Sequence, residues 1–172
     1  MNLDQYFSPL WVIDELLDNC PSIDEGYQIF EPCVGKGSLL TPRLPNVVTN
    51  DIDPNMPAKL HMDATKSDVW KLAASDWTIT NPPYSSAFAI LKHAYTYSQV
   101  GVALLMRLSF MEPTIARRQW LHDHPPDVLI VLPRISYAGY GSDTVTSAWM
   151  VWYILGSHFI KQKIVISDHN KR

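Results

Sequence analysis

Residues 100–106 form an almost unbroken apolar run, Val-Gly-Val-Ala-Leu-Leu-Met. A strand that is apolar at every position, rather than at every second one, is typical of parallel sheets that are covered on both faces. We therefore expect this run to be a strand near the centre of such a sheet. Because helices cover the faces of parallel sheets, the run favours an α/β fold.

The sequence on either side of this run alternates strand patterns with helical patterns, which predicts a mostly parallel sheet with helices on both faces. Further strands are expected at residues 27–31, 47–50, 59–62, 77–80, 127–132, 148–155 and 163–167. Helices are expected at residues 38–40, 67–74, 85–98 and 113–122, after a first helix that starts at Ser8-Pro9 and ends near Pro21. Residues 133–146 are expected to form a loop.

The composition is that of a folded globular protein, with 172 residues of which 47% are hydrophobic and 18% charged. This length predicts one domain over residues 1–172. The net charge of −3 is divided unevenly, since residues 1–100 carry 12 acidic and 6 basic side chains and residues 101–172 carry 5 and 8. An anionic partner is therefore expected to meet the second part of the chain.

The sequence favours a cytoplasmic protein without membrane segments. The first residues, Met-Asn-Leu-Asp-Gln, are polar and do not resemble a signal peptide. The longest apolar run of the second half, residues 148–155, is far shorter than a bilayer span. Cys20 and Cys33 are too few for a disulfide framework or a zinc site. His122-Asp123-His124 precedes two prolines and is interpreted as an exposed turn, so no bound metal is expected.

A glycine-containing turn, Glu31-Pro32-Cys33-Val34-Gly35-Lys36-Gly37, follows the first predicted strand. A tight turn between a strand and a helix lets a ligand approach the backbone closely. This turn lacks the spacing of a phosphate-binding P-loop, and it begins with an acidic residue, which would repel a phosphate. It suits a cationic ligand, with contacts from Glu31, Pro32, Gly35 and Gly37. A plain structural connection is the alternative.

Acidic residues follow the next two predicted strands. Asp51 stands at the end of the second strand, where an acid commonly binds ribose hydroxyls, and Asp53 is a rival for this role. Asp63 follows the third strand, where it can reach an adenine amino group. An ordinary surface turn is the alternative for each acid. Together with the Glu31 turn, they predict a negatively charged nucleoside pocket without a phosphate grip, which matches S-adenosylmethionine.

Asn81-Pro82-Pro83-Tyr84 follows the strand at 77–80, at the edge where open α/β sheets bind ligands. The Asn81 side-chain oxygen and the Pro82 carbonyl can accept hydrogen bonds from an NH2 group. The prolines fix the backbone and lack N–H donors, and the Tyr84 ring offers a flat surface. The motif predicts that a planar amine is held beside the methyl group of the cofactor, which Asn81 also borders.

In this order, the motifs Glu-Pro-x-x-Gly-x-Gly, Asp-Ile-Asp-Pro, Met-Asp-Ala and Asn-Pro-Pro-Tyr resemble those of the S-adenosylmethionine-dependent amino-methyltransferases. The pattern covers about residues 4–155 and is most similar to DNA adenine-N6 methyltransferases with the cofactor motif before the catalytic one. The resemblance implies a Rossmann-like methyltransferase fold with a mostly parallel seven-stranded sheet. It also implies methyl transfer to N6 of an adenine flipped out of DNA, with Asn81, Pro82 and Tyr84 as catalytic residues.

Gln5-Tyr6-Phe7-Ser8-Pro9 resembles the N-terminal motif of that subgroup. The resemblance implies that Tyr6 and Ser8 contact the methionine end of the cofactor. A plain helix cap at Ser8 is the alternative, and both roles are compatible.

Residues 107–112 and 133–139 resemble small methyltransferases of bacteriophages and prophages. This resemblance implies that Tyr137 lies near the target base. Arg107 and Arg134, together with Arg117 and Arg118, are candidates for contacts with DNA phosphates.

Within residues 1–172 we expect no separate target-recognition domain, which DNA adenine methyltransferases usually carry. Target specificity is therefore expected to be low, to come from the loop at residues 133–146, or to need a second subunit, and a homodimer stays open. An amino-methyltransferase that acts on RNA or on protein glutamine is the nearest alternative, and a nucleic-acid-binding module without activity is another. The expected setting is the cytoplasm of a bacterial or phage-infected cell.

Overall fold

The computed structural model describes residues 8–24, 26–137, 141–142, 145–155 and 162–168. Its helices are α1 (Leu10–Asn19), α2 (Ser67–Ala73), α3 (Ala87–Tyr97) and α4 (Arg118–Asp123), with a short 3-10 helix at Leu108–Met111. Its strands are β1 (Ile29–Glu31), β2 (Val47–Thr49), β3 (Trp77–Thr80), β4 (Gly101–Arg107), β5 (Val128–Val131), β6 (Ser136–Tyr137), β7 (Gly141–Ser142), β8 (Ser147–Tyr153) and β9 (Lys163–Ile166).

Seven strands form one sheet in the order β2-β1-β3-β4-β8-β5-β9. Every neighbouring pair is parallel except those that involve β8, which runs antiparallel to both β4 and β5. The apolar run at residues 100–106 supplies β4, the middle strand of the seven. The expected α/β fold with a mostly parallel seven-stranded sheet is confirmed.

Helices cover both faces of the sheet. Ala103 and Leu105 of β4 point to the face that α1 covers, where Trp77 and Trp149 are also fully buried. The alternate residues of β4 point to the other face, where they pack with buried residues of α2, α3 and α4. Since successive side chains of a strand point to opposite faces, β4 is apolar throughout because both of its faces are buried.

The one glycine of the central run has a steric reason. A Cβ atom at Gly101 would lie 2.5 Å from the Trp77 ring and 2.8 Å from the Trp152 carbonyl oxygen. Real Cβ atoms do not approach other atoms so closely, so the indole of Trp77 occupies the space that a side chain at residue 101 would need. Glycine therefore lets a large aromatic residue fill the centre of the sheet.

The expected strand at residues 59–62 is wrong. Only a single parallel bridge joins Leu60 to Asn50 beyond the end of β2. The Asn50 side chain takes over the next positions of the ladder, because its oxygen accepts the Met62 N–H at 3.0 Å and its amide group donates to the Met62 carbonyl at 3.0 Å. A side-chain amide thus replaces the backbone pairing that would extend the strand.

The expected short helix at residues 38–40 is also wrong. The Leu39 N–H donates to the Glu31 carboxylate at 3.0 Å, and the Leu40 and Thr41 N–H groups donate to the Ser38 hydroxyl at 3.1 and 3.0 Å. Ser38 thus caps the turn at residues 41–43, and the segment before that turn forms no helix. The chain passes through turns from residue 35 to β2.

The helix expected at residues 113–122 is shorter, since the chain forms a turn at residues 115–117 before α4 begins. The expected loop at 133–146 contains an antiparallel pair, β6 with β7. No helix within the described residues is long and apolar enough to span a membrane.

Candidate active site

A cavity of about 280 Å³ opens at the carboxyl ends of β1 and β3. Parallel strands of an open α/β sheet present their loops at this edge, which is where such sheets bind ligands. The residues that line the cavity include most of those proposed from the sequence, namely Ser8, Glu31, Pro32, Gly35, Gly37, Asp51, Asp63, Asn81, Pro82 and Tyr84. Five separate stretches of the sequence therefore meet around one space.

Glu31 is the last residue of β1, and its carboxylate is 2% exposed. One oxygen accepts a hydrogen bond from the Ser38 hydroxyl, and the other accepts the Leu39 N–H at 3.0 Å. Burial raises the pKa of Glu31 to about 7, although the hydrogen bonds from Ser38 and from the backbone oppose this shift. Glu31 is thus a buried acid that a nearby positive charge would convert to its ionised form.

Asp51 and the glycine turn are joined by a hydrogen bond. The Asp51 carboxylate accepts the Gly35 N–H at 2.8 Å and the Asp53 N–H at 3.0 Å. Gly35 has a φ of +58°, a conformation that glycine adopts without strain. Asp51 lines the cavity, whereas the Asp53 side chain accepts hydrogen bonds from Asn55 and is not part of the lining. Of the two rivals for a ribose contact, Asp51 is the one at the cavity.

Asn50 connects the two loops on this side of the site, and the sequence analysis did not identify it as a site residue. Its side chain is fully buried. The amide group donates to the Pro32 carbonyl at 2.9 Å, on the glycine turn, and the same side chain bonds to both backbone groups of Met62. One indication of this role was present in the sequence, since Asn50 is a polar residue at the end of the predicted strand that begins at Val47, directly before Asp51.

Asp63 stands on the loop that Asn50 holds. Its carboxylate accepts hydrogen bonds from the Thr65 N–H at 2.8 Å and the Thr65 hydroxyl at 2.7 Å. The hydrogen bond from the Thr65 hydroxyl, followed by that from the Thr65 backbone, lowers the pKa of Asp63. Asp63 is therefore ionised at neutral pH and lines the cavity together with Thr65.

Asn81 follows β3, and its side chain is half-buried at the cavity wall. The Asn81 amide nitrogen donates a hydrogen bond to the Ser8 hydroxyl at 3.2 Å. With the nitrogen directed at Ser8, the side-chain oxygen occupies the other branch of the amide. Ser8 has no side-chain capping bond to the first helix, whose N-terminal cap residue is Pro9.

Tyr84 lies beside Arg107, the last residue of β4. The guanidinium carbon of Arg107 is 4.3 Å from the centre of the Tyr84 ring. This is the geometry of a cation–π contact. The contact joins the loop after β3 to the end of β4, so Arg107 is placed next to the cavity although it is not part of its lining.

The remaining predicted residues are placed differently. Arg134 is exposed and does not line the cavity. Tyr6 lies outside the described residues, and the side chain of Tyr137 does as well. Arg117 stacks on Phe110 with 4.7 Å from its guanidinium carbon to the ring centre, while Arg118 is exposed at the start of α4.

The charges around the cavity have one sign. Among the described residues, its lining contains three acids, Glu31, Asp51 and Asp63, and no lysine, arginine or histidine. Within the same part of the chain, no group of histidine, cysteine and acidic side chains is arranged to hold a metal ion. The site therefore favours a ligand with positive charge and hydroxyl groups over a polyphosphate.

Known proteins resemble this chain in structure. No protein-family model and no curated protein matches its sequence. A putative class I S-adenosylmethionine-dependent methyltransferase from Listeria monocytogenes superimposes with a TM-score of 0.68 and 11% identity, over 97% of this chain and 67% of the other. The chain has the Rossmann-like fold of these methyltransferases. Identity at this level shows the fold alone.

Two further solved structures share the fold. The methyltransferase subunit of a type I restriction-modification system from Streptococcus thermophilus has a TM-score of 0.61 and 16% identity, over 86% of this chain and 44% of the other. A putative RNA methyltransferase from Pyrococcus horikoshii has a TM-score of 0.61 and 17% identity, over 90% and 88%. The chain thus spans less than half of the restriction-modification subunit that it matches.

Proposed function

We propose that this chain transfers a methyl group from S-adenosylmethionine to the exocyclic N6 amino group of adenine in DNA. The observation that carries the proposal is the cavity, which is lined by three acids and no basic residue among those described and is bordered by Asn81-Pro82-Pro83-Tyr84. Acids suit a sulfonium ligand with a free α-amino group, and the tetrapeptide suits a planar amine.

The residues present fit this cofactor, which supplies an electrophilic methyl group when bound. Glu31 provides a negative charge against its cationic part, since the buried carboxyl becomes ionised beside a positive charge. In this proposal Asp51 binds the ribose hydroxyls and Asp63 the adenine amino group, which is supported by their position in the cavity lining. Ser8, together with Pro32, Gly35 and Gly37, supplies the surrounding wall.

Asn81 and Pro82 hold the amine that receives the methyl group. The lone pair of an exocyclic amine is delocalised into the ring, so the nitrogen is a poor nucleophile. Hydrogen bonds from the NH2 group to the Asn81 side-chain oxygen and the Pro82 carbonyl would favour a pyramidal nitrogen, whose lone pair is then available to attack an electrophile. As positive charge develops on the nitrogen, these acceptors bind its N–H groups more strongly and stabilise the transition state.

Ser8 positions this machinery through its hydrogen bond to the Asn81 amide nitrogen. The N–H bonds of the amine become acidic once the nitrogen is alkylated, so the mechanism needs no strong base. Correct placement of the amine against the methyl donor then accounts for much of the acceleration.

The Tyr84 ring is placed to stack on the target base. A base inside a duplex cannot reach this cavity, so it has to be flipped out at a cost of a few kcal/mol. Stacking on an aromatic ring returns about 1–3 kcal/mol. Arg107 lies against Tyr84 and holds the ring from one side, which directs the base to the other.

The choice of DNA is supported by the excess of basic residues in the second part of the chain and by the fold shared with a restriction-modification subunit. The fold shared with a putative RNA methyltransferase supports RNA as the second candidate, and Asn-Pro-Pro-Tyr also suits protein glutamine. We further propose that the chain acts in the cytoplasm as one domain, with low target specificity or specificity from residues 133–146. Tyr137 and Arg134 remain candidates for DNA contacts, and Tyr6 for the cofactor.

Methyl transfer tests the proposal directly. The chain is incubated with labelled S-adenosylmethionine and unmethylated DNA, RNA or protein extract, and the products are identified by mass spectrometry of nucleosides and amino acids. We expect N6-methyladenine in DNA, and none with Asn81→Ala. Product on RNA or glutamine would reassign the substrate, and failure to bind S-adenosylmethionine in calorimetry would support a module without activity.

A further inference from the structure

Ile115 is the most exposed large hydrophobic residue among those described, with 99% of its surface open to solvent. The next most exposed, Leu155, Ile164 and Ile166, reach 72%. Single apolar residues on a surface are common. Ile115 differs in two respects, which are its position on the segment after β4 and the hydrogen bonds that fix the turn on which it lies.

Ile115 lies on the segment that leaves the carboxyl end of β4. This end of β4 is the one that meets the proposed active site, since Arg107 contacts the Tyr84 ring. The chain then forms the 3-10 helix at 108–111 and the turn at 115–117 before α4 leads it back towards β5. The segment that carries Ile115 therefore leaves the sheet at the same edge as Asn81, where a duplex must lie to deliver a base.

The turn that carries Ile115 is fixed by hydrogen bonds. The Thr114 N–H donates to the Glu112 carbonyl at 2.8 Å, and the Arg117 and Arg118 N–H groups both donate to the Thr114 carbonyl, at 3.0 and 2.8 Å. The Arg117 guanidinium adds a 3.3 Å bond to the Glu112 carbonyl. These bonds close the turn around residue 115 from both sides.

The same turn is anchored to the core by an aromatic contact. The Arg117 guanidinium carbon lies 4.7 Å from the centre of the Phe110 ring, and Phe110 is 7% exposed. Since the turn is held in this way, an apolar side chain at its tip can enter a partner without the loss of much conformational freedom. An exposed residue on such a support is suited to insertion.

The surroundings of Ile115 point to a nucleic acid. Arg118 is exposed on one side of Ile115, as are Glu112, Pro113 and Thr114 on the other side. Ile115 is the one large hydrophobic residue among the exposed residues from 112 to 118, so this surface lacks the continuous apolar patch of a protein interface. A lone apolar residue followed by arginines is the arrangement with which proteins wedge into stacked bases while they bind the phosphates.

We propose that Ile115 is a wedge that enters the base stack of a DNA duplex beside the target adenine and stabilises the gap left when that base is flipped. The proposal rests on the proposed function of the site. Burial of an isoleucine side chain is comparable in size with the cost of extruding a base, so a single wedge is sufficient to shift the flipping equilibrium.

The test compares one duplex in two forms, with the target adenine opposite thymine or opposite an abasic site, after the methylated position has been mapped. Flipping is easier at an unpaired base, so a wedge matters less there. We expect Ile115→Ser to lower the methylation rate of the paired duplex about tenfold relative to the unpaired one. Ile115→Leu should retain the wild-type ratio.

Leu155→Ser is the matched control, because Leu155 is also exposed and follows the end of β8 that pairs with the start of β4, at the opposite edge of the sheet. This variant should keep the wild-type ratio of the two rates. Calorimetry with S-adenosylmethionine on every variant shows that the cofactor site is folded, so a variant that no longer folds is recognised.

The outcomes separate the wedge from the proposed function. If the wild-type chain methylates no DNA, the proposed function fails first. If it methylates DNA and Ile115→Ser keeps the wild-type ratio of paired to unpaired rates, the wedge is overturned. The same holds if Ile115→Ser changes the oligomeric state in light scattering and slows both duplexes equally, which would assign Ile115 to a protein contact.

Discussion

The Asn81 amide nitrogen donates a hydrogen bond to the Ser8 hydroxyl, although 73 residues separate the two in sequence. The bond links the segment before α1 to the loop after β3, and both residues line the cavity. Because the amide nitrogen is engaged by Ser8, the Asn81 oxygen is the atom that can accept a hydrogen bond from a substrate amine. Ser8 is therefore a positioning residue of the proposed site as well as part of its wall.

Ser8→Ala is expected to lower kcat about tenfold, because the Asn81 amide loses the bond that orients it, while Asn81→Ala should lower kcat by at least about 10²-fold. Rates of methyl transfer at saturating cofactor measure both effects. Ser22→Ala removes a serine hydroxyl that bonds only to the Tyr153 hydroxyl at 3.2 Å, and it should leave kcat unchanged. A Ser8→Ala enzyme with wild-type kcat would show that Asn81 is oriented by other contacts.

The sequence predicted the edge of the sheet at which the site lies. Glu31, Asp51 and Asn81 are polar residues at the ends of predicted strands. Because the carboxyl ends of parallel strands share one edge of the sheet, these three residues were expected to lie close together. What patterns could not show were contacts between loops. The bond from Asn81 to Ser8 and the stack of Arg107 on Tyr84 join residues that are distant in sequence. Such contacts depend on the path of the chain in space, which the periodicity of the sequence does not show.

The two elements that were predicted wrongly have a common cause. The run at residues 59–62 has a strand composition, but the Asn50 side chain takes the Met62 backbone groups. Residues 38–40 suit a helix, but the Glu31 carboxylate and the Ser38 hydroxyl take their N–H groups. In both places a site residue, Asn50 or Glu31, bonds to the backbone of a segment that is distant in sequence, and local propensity does not report such contacts. Secondary-structure propensity therefore predicted the wrong element in these two segments beside the site.

Asn50→Ala is expected to reduce the free energy of unfolding by about 3 kcal/mol, since it leaves one buried and two part-buried backbone groups without this partner. These are the Pro32 carbonyl and both backbone groups of Met62. Urea denaturation gives the change. Asn55→Ala is the control, because Asn55 is exposed and its side chain bonds only to Asp53. Equal stabilities of the two variants would contradict the role assigned to Asn50.

Binding of S-adenosylmethionine near pH 6 is expected to release up to about one proton, because a cationic ligand favours the ionised form of Glu31. Without ligand, burial holds the pKa of Glu31 at about 7, so the carboxyl is mostly neutral at that pH. Calorimetry in buffers with different ionisation enthalpies counts the proton. Glu31→Gln should abolish the release and weaken binding at least about tenfold. Equal proton release by wild type and variant would place the linked group elsewhere.

The stability of the chain without ligand should fall as the pH rises. The pKa of Glu31 is raised from 4.5 to about 7 in the folded chain, so folding is favoured fully below about pH 4.5 and this contribution is lost as the pH passes through about 7. The loss amounts to at most about 3 kcal/mol. Thermal unfolding of wild type and Glu31→Gln between pH 5 and about 8 measures it. The variant should lack this part of the decline, and parallel curves would mean that Glu31 does not titrate in this range.

Arg107→Ala is expected to lower kcat by roughly three- to thirtyfold, the range of a cation–π contact, with no change in cofactor affinity. The guanidinium lies 4.3 Å from the centre of the Tyr84 ring, so its removal leaves the stacking surface without support on one side. Lysine lacks the planar group that stacks on a ring, so Arg107→Lys should restore little of the activity. Steady-state kinetics and calorimetry together give the two quantities.

The salt dependence of DNA binding separates this role of Arg107 from a phosphate contact. A phosphate contact would reduce the slope of log Kd against log salt by about 0.9, whereas a guanidinium held on Tyr84 should leave the slope unchanged. Lys92→Ala is the control, because the Lys92 ammonium also lies over a ring, at 5.0 Å from the centre of Phe88, which does not line the cavity. A reduced slope with full rescue by lysine would assign Arg107 to the DNA backbone, and the target base would then have to be held by Tyr84 alone.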